Sequence, residues 1–139
     1  MGSVIKPAGF EAVQGIITTA YRLDPTDPQW ADNEEYKAWS AFMDAHFPDG
    51  DKTSSFTTYG WSACNTLLHT LQSAGGDYSR ESIMKAAASI KDYRAPLLLP
   101  GIKVDTSATD LYPIEAMQLQ RVEGETWALF GDVISVESE

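Results

Sequence analysis

The sequence has one cysteine, Cys64, so it cannot form an internal disulfide bond. Basic residues are also scarce, since ten Lys and Arg against twenty Asp and Glu give a formal charge of −10. This balance argues against binding to nucleic acid or to an anionic membrane surface, because both call for a basic patch. No apolar run approaches the ~20 residues of a membrane span. No positively charged segment with an apolar core opens the chain, so we expect no export signal in it.

The chain does contain enough apolar residues for a core. Its 139 residues fit a single domain, and 43% of them are hydrophobic, which is too many for a disordered segment. No internal repeat or low-complexity segment divides it. We therefore expect one folded unit, whose elements follow from the periodicity of the apolar residues.

The clearest element is a helix predicted over residues 59–76. Ser54 or Ser55 is its candidate N-cap, and Gly75 and Gly76 end it because glycine adopts the left-handed conformation without a Cβ clash. Apolar side chains recur on one face at 100° per residue, so we expect that face to be buried and the polar face to meet solvent. The apolar face carries Trp61, Ala63, Cys64, Leu67, Leu68, Leu71 and Ala74. The polar face carries Ser62, Asn65, Thr66, His69, Gln72 and Ser73.

A strand and another helix precede this element. Residues 15–23 are rich in β-branched and aromatic side chains without clear alternation, which predicts a strand covered on both faces. Asp32 or Asn33 can cap a helix that ends before Pro48. The predicted buried face of that helix carries Tyr36, Trp39, Met43 and Phe47.

The second half of the chain predicts one more helix and a hairpin. The helix covers residues 80–90 with Ser79 as its N-cap, and a short strand covers 102–104. Two alternating runs, 114–122 and 126–130, flank a glycine-containing turn and predict an antiparallel hairpin. The predicted fold class is therefore α/β, or α+β for this chain by itself, with three amphipathic helices, a strand and a C-terminal hairpin.

The sequence lacks a constellation of residues that would carry out catalysis or bind a metal. The GWSAC segment around Ser62 lacks the second glycine of a nucleophile elbow. The acidic run 49–55 lacks the glycine and the glutamate of a calcium loop. His46 and His69 have no companion at metal-ligand spacing, and Cys64 is expected to be a buried thiol. We expect no enzyme activity, no metal and no cofactor, and we expect the four tryptophans to be core residues.

Four segments together resemble a known family. They are VIKPAGFEAVQGIITTAYRLDPTDPQW, FMDAHFPDGD, TTYGWSACNTLLHTLQSAGGDYSRESIMKAAASIK and LLLPGIKVDTSATDLYPIEAMQLQRVEGETWALFGDVIS. In this order they resemble the C-terminal part of the extracytoplasmic receptors of ABC importers of the branched-chain amino acid type, which have the type I periplasmic binding protein fold. The resemblance covers essentially the whole chain.

The resemblance implies a partial structure. Such receptors have two α/β lobes that close on a solute and then present it to a membrane permease. Residues 1–139 would form a single partial domain, about the last third of such a receptor. Residues 1–23 and 122–135 would belong to the second lobe, and 24–116 mostly to the first. The whole receptor would be periplasmic or extracellular.

The same resemblance supplies the only site residues we expect. Most residues that grip the solute would precede this chain, so binding of an amino acid or a similar carboxylate would be lost or weak. Tyr21, at the cleft end of its strand, is the one candidate ligand contact. The expected hinge residues are Tyr21, Arg22, Leu23, Asp24, Leu119 and Gln120.

The amphipathic helices need a surface that the chain does not encode, because such helices normally cover a parallel sheet. We therefore expect a homo-oligomer, an intertwined two-fold dimer, with the apolar face of the 59–76 helix near its interface. A charge at Leu67 should then unfold or dissociate the protein. A truncated, self-associating structural remnant without solute binding is the alternative function.

Overall fold

The computed structural model of the protein describes residues 5–136, which form four helices and one three-stranded antiparallel sheet. This composition confirms the predicted mixed fold class. The helices are α1 Ile5–Ala8, α2 Glu34–His46, α3 Ser55–Ser73 and α4 Arg80–Ala87. The strands are β1 Ile17–Ala20, β2 Ala116–Glu123 and β3 Thr126–Ser135, and 3₁₀ turns occupy Phe10–Val13 and Pro28–Trp30.

The sheet has the order β1-β2-β3, and both pairs of neighbours are antiparallel. The predicted hairpin is confirmed, with Gly124 at φ +61° in its turn and a register shift between Met117 and Leu119. The prediction that residues 15–23 form a strand covered on both faces is wrong. Only Ile17–Ala20 is a strand, and its first three side chains are exposed, because the residues from 5 to 136 leave them largely uncovered.

Side-chain caps fix where the three longer helices begin. Asn33 Oδ1 accepts a hydrogen bond from Tyr36 N at 3.0 Å, and the hydroxyls of Ser54 and Ser79 cap α3 and α4 in the same way. These caps confirm candidates that the sequence offered. In α2, Trp39 and Met43 are buried, but Phe47 is 53% exposed, because it follows the last helical residue with φ −146° and leaves the buried face.

The predicted burial of α3 is reversed. Its polar face packs inward, where Thr58, Ser62 and Thr70 are at most 8% exposed. Its apolar face is open, with Leu67 54% and Leu68 52% exposed. The expectations that Ser62 faces solvent and that the apolar face is covered are therefore wrong for this chain.

The polar face can be buried because its hydroxyls are satisfied within the helix. Thr66 Oγ1 and Thr70 Oγ1 each donate to the carbonyl four residues earlier, both at 2.9 Å. The Ser62 hydroxyl lies 3.1 Å from Thr58 O and 2.6 Å from Pro96 O. Small side chains with satisfied hydroxyls cost little to bury and allow a close approach of the helix. The Cys64 side of the helix is correspondingly exposed, so the predicted buried thiol is also wrong.

The buried side chains fall into two separate clusters. The larger cluster draws on α2 and on the segment 90–104. This segment is irregular apart from two isolated bridges, Arg22 with Leu98 and Tyr93 with Val104, so the predicted strand 102–104 is absent. The buried members of the larger cluster are Leu23, Trp39, Met43, Ile90, Ala95, Leu97, Leu98, Leu99, Ile102 and Val104. The smaller cluster joins the N-terminal turns to the hairpin through Ile5, Val13, Val122 and Trp127.

Asp27 ties the turn after β1 to strand β3. Its carboxylate is 3% exposed and accepts from Trp127 N at 2.7 Å, Thr126 Oγ1 at 2.6 Å and Gln29 N at 3.1 Å. These bonds satisfy a buried backbone donor and cap the turn at Pro28.

Asp27→Ala should lower the free energy of unfolding by about 2–4 kcal/mol, because it removes a cap and leaves the Trp127 N–H without an acceptor. Chemical denaturation measures this change. Asp51→Ala is the matched control, because exposed Asp51 makes similar local bonds to Thr53 but none to a distant strand. Equal losses in the two variants would show that the tie to β3 carries no stability.

Candidate solute-binding cavity

The segment that leaves β1 runs beside the buried segment 97–99. Tyr21 O accepts from Leu99 N at 2.9 Å, and Leu23 N donates to Leu97 O at 3.0 Å. These two bonds place Tyr21 and Arg22 between the sheet and the larger core cluster, where Tyr21 and Arg22 are both half-buried.

The predicted hinge residues lie in two places. Tyr21, Arg22, Leu23 and Asp24 follow β1, whereas Leu119 and Gln120 lie within β2, opposite Thr19 and Thr18. The β1–β2 pairing ends at Ala20 and Gln118, so the two groups belong to neighbouring strands but are not level with each other.

A cavity of about 210 Å³ opens where this segment meets α3. Tyr21 and Arg22 form one wall, and Tyr59 and Ala63 of α3 form another. The remaining walls are mainly apolar and include Leu98, Val104 and Ile114. The cavity is much larger than the 10–15 Å³ that one water molecule needs, so it has room for a small organic molecule.

Arg22 is the one cation on the cavity wall among the described residues. Its guanidinium carbon lies 5.4 Å from the centre of the Tyr21 ring and 5.1 Å from that of Tyr59, both within cation–π range. Its Nη1 is shielded from solvent and finds no acceptor within residues 5–136. A buried donor without an acceptor is costly, so a shift of the Arg22 side chain that brings Nη1 to an acceptor in the cavity would be stabilising.

The sequence predicted part of this cavity and missed the rest. It named Tyr21 as the candidate contact, and Tyr21 does line the cavity. Arg22 was expected only as a hinge residue, and Tyr59 only as the start of a helix. The only sequence signal for Arg22 as a cavity residue was its position between apolar neighbours at the end of a strand. The distance between Arg22 and α3 depends on the tertiary fold.

A second, apolar groove lies on the outside of the molecule between α2 and α3. It has a volume of about 360 Å³ and is open to solvent. Its walls carry Trp39, Phe42 and Met43 from α2 and Trp61, Cys64 and Leu68 from α3. This groove continues the exposed apolar face of α3.

The remaining chemistry-bearing residues stay apart. Within residues 5–136, no three His, Cys, Asp or Glu side chains lie close enough together to hold a metal ion. His69 stacks on Tyr93 with ring centres 4.0 Å apart, and Ser62 is bonded to backbone carbonyls. None of the helices in this part of the chain is long and apolar enough to cross a membrane.

The sequence matches the family described as periplasmic binding protein over residues 1–126, so the chain belongs to that family. No protein of established function matches in a search of the curated proteins. The family match confirms the resemblance that the four sequence segments indicated.

Two solved structures share the fold. A branched-chain amino acid ABC transporter protein from Thermus thermophilus with bound valine matches with a TM-score of 0.73 at 13% identity. A solute-binding protein of an ABC transporter from R. palustris in complex with benzoate matches with a TM-score of 0.54 at 21% identity. Each match covers 96% of this chain but only 36% and 35% of the other chains, respectively, so the chain spans about a third of their length.

Proposed function

We propose that the chain is the C-terminal part of a solute-binding receptor that delivers an amino acid or a similar small carboxylate to an ABC permease, and that it is not an enzyme. The observation that carries the proposal is the match of nearly the whole chain to about a third of a valine-bound receptor. The second similar structure holds benzoate, which shares a carboxylate with valine.

The two core clusters support the proposed division between lobes. The smaller cluster contains only residues from 1–23 and 122–135, which we assign to the second lobe. The buried members of the larger cluster lie in 24–116, which we assign mostly to the first lobe, except Leu23 at the boundary between the two assignments. We propose that Tyr21 to Asp24, with Leu119 and Gln120, form the hinge.

We propose that the chain alone binds its solute only weakly. A cleft that lacks its opposite wall forfeits the contacts and the closure that bury a ligand. Millimolar affinity, which corresponds to about −4 kcal/mol, is what a single wall with one charged group can supply. The formal charge of −10 also opposes the approach of an anion.

The exposed apolar face of α3 favours a second candidate function, a self-associating structural protein. Leu67 and Leu68 are each more than half exposed, and Leu68 lines the apolar groove between α2 and α3. A contiguous apolar surface of this kind typically marks an interface. In the isolated chain we propose that a second copy covers it in a two-fold dimer.

The size and location of the native polypeptide separate these two functions. An immunoblot of fractionated source cells, probed with antibodies against this chain, should show a protein nearly three times as long in the periplasmic or extracellular fraction. This expectation follows from the one-third coverage of the similar receptors. A 15.2 kDa band alone would instead support the self-associating protein.

A further inference from the structure

We propose that the cavity beside Arg22 binds the carboxylate group of a small acid that carries no ammonium group. The inference rests on the proposed receptor function and specifies the ligand of its site. It follows from the buried guanidinium, the two rings that hold it, and the composition of the cavity walls.

The first step is the position of the guanidinium. Tyr21 and Tyr59 lie within cation–π distance of Arg22, so the charge is held between the exit of β1 and helix α3. Its shielded Nη1 has no acceptor within the described part of the chain, although Arg22 lines a cavity. A guanidinium binds a carboxylate through parallel N–H···O bonds, so a carboxylate is the acceptor that fits Arg22 once a small shift of its side chain opens Nη1 to the cavity.

The second step concerns the other cavity walls and whether they could bind an ammonium group. None of the described residues that line the cavity is Asp or Glu, so this chain by itself offers no carboxylate partner to an ammonium group there. The hydroxyls of Ser62 and Thr66 are bonded to backbone carbonyls. Leu98, Val104 and Ile114 offer apolar surface to the body of the ligand. A branched aliphatic or aromatic monocarboxylate therefore fits better than the amino acid of the same shape.

Titration of the ¹⁵N-labelled chain tests this inference with three ligands of nearly one shape. Isovalerate has the charge and the apolar body, isovaleramide lacks the charge, and valine adds the ammonium group. We expect isovalerate to shift the amide signals of Arg22 and Tyr59 with a dissociation constant in the millimolar range. Valine and isovaleramide should bind at least tenfold more weakly.

Two variants locate the effect. Arg22→Met should weaken isovalerate binding at least tenfold, and Arg22→Lys should weaken it less. Arg121→Met is the matched control, because Arg121 also lies over an aromatic ring, 5.6 Å from the centre of Phe130, but is paired with Glu123. This control should leave binding unchanged, and circular dichroism should show that all three variants are folded.

Several results would overturn the inference. Two concern the ligands: isovaleramide or valine that binds the wild-type chain as tightly as isovalerate does, and no saturable shift with isovalerate. The third concerns the variants: equal losses of isovalerate affinity in Arg22→Met and Arg121→Met. The comparison of ligands on the wild type decides the question even if Arg22→Met fails to fold. The proposed receptor function is tested separately, by the immunoblot that measures the size and location of the native polypeptide.

Discussion

Leu67→Asp should convert a dimer into a monomer and leave the fold intact. Leu67 is 54% exposed on the open face of α3, so the aspartate meets water in the free chain and costs little stability there. In a two-fold interface the substitution places two uncompensated charges against apolar surface. We expect the dimer dissociation constant to rise about 100-fold. Sedimentation velocity at micromolar concentration measures it.

Met84→Asp is the matched control for Leu67→Asp. Met84 is 53% exposed on α4, nearly the same as Leu67, and it lies outside the open apolar face of α3 that forms the proposed interface. The control should sediment like the wild type. A monomeric wild type, or a Leu67→Asp variant that stays dimeric, would contradict the proposed dimer. Unfolding of Leu67→Asp would instead mean that α3 packs with its apolar face inward, contrary to this structure.

Trp39→Ala should cost about 3–5 kcal/mol of the free energy of unfolding, the largest effect expected from one substitution in this chain. The side chain is fully buried in the larger cluster, next to residues such as Met43, Leu97 and Ile102. The cavity left by an indole ring cannot be filled by these neighbours without backbone movement. Since small domains are stable by only about 5–15 kcal/mol, the variant should be close to unfolding.

Two further substitutions on α2 show whether burial causes that loss. Phe42→Ala should cost roughly 1 kcal/mol, because Phe42 is 43% exposed on the same helix. Trp39→Phe should cost less than Trp39→Ala, since it keeps a ring and removes an indole N–H that has no acceptor within residues 5–136. Denaturation at one fixed protein concentration compares all three. Equal losses in Trp39→Ala and Phe42→Ala would show that Trp39 is not central to the core.

Local chemistry made much of this fold predictable. Asn33, Ser54 and Ser79 could be named as caps because the short-range bond from a side-chain oxygen to a helix N–H is encoded by one residue. The hairpin could be predicted because alternation and the Gly124 turn are both local signals. The absence of a strand at 102–104 could not be predicted, because a strand requires a partner strand that only the tertiary fold supplies.

The orientation of α3 could not be read from its apolar residues. The apolar stripe shows which face can be buried, but burial requires a surface, and within residues 5–136 the available surface contacts the opposite face. A different signal was present: Thr58, Ser62, Thr66 and Thr70 recur at every fourth position. Such a row can pack closely because each hydroxyl bonds to its own helix. Both faces of α3 can therefore be buried.

The cavity was predictable only in part, because its walls come from distant parts of the chain. Tyr21 and Arg22 are adjacent in sequence, but Tyr59 and Ile114 reach the same cavity through separate elements. Nothing in the sequence around Arg22 indicates that its Nη1 would be buried without an acceptor. The residue that we propose to be central to binding was therefore expected only as part of the hinge.

The open apolar face of α3 also sets how the chain responds to temperature. An interface built from Leu67, Leu68 and the adjoining groove would form with a negative change in heat capacity, because it removes apolar surface from water. The driving force for such burial weakens on cooling. Self-association would then be weakest in the cold, whereas the hydrogen bond from the Ser62 hydroxyl to Pro96 O would still tie α3 to the rest of the chain.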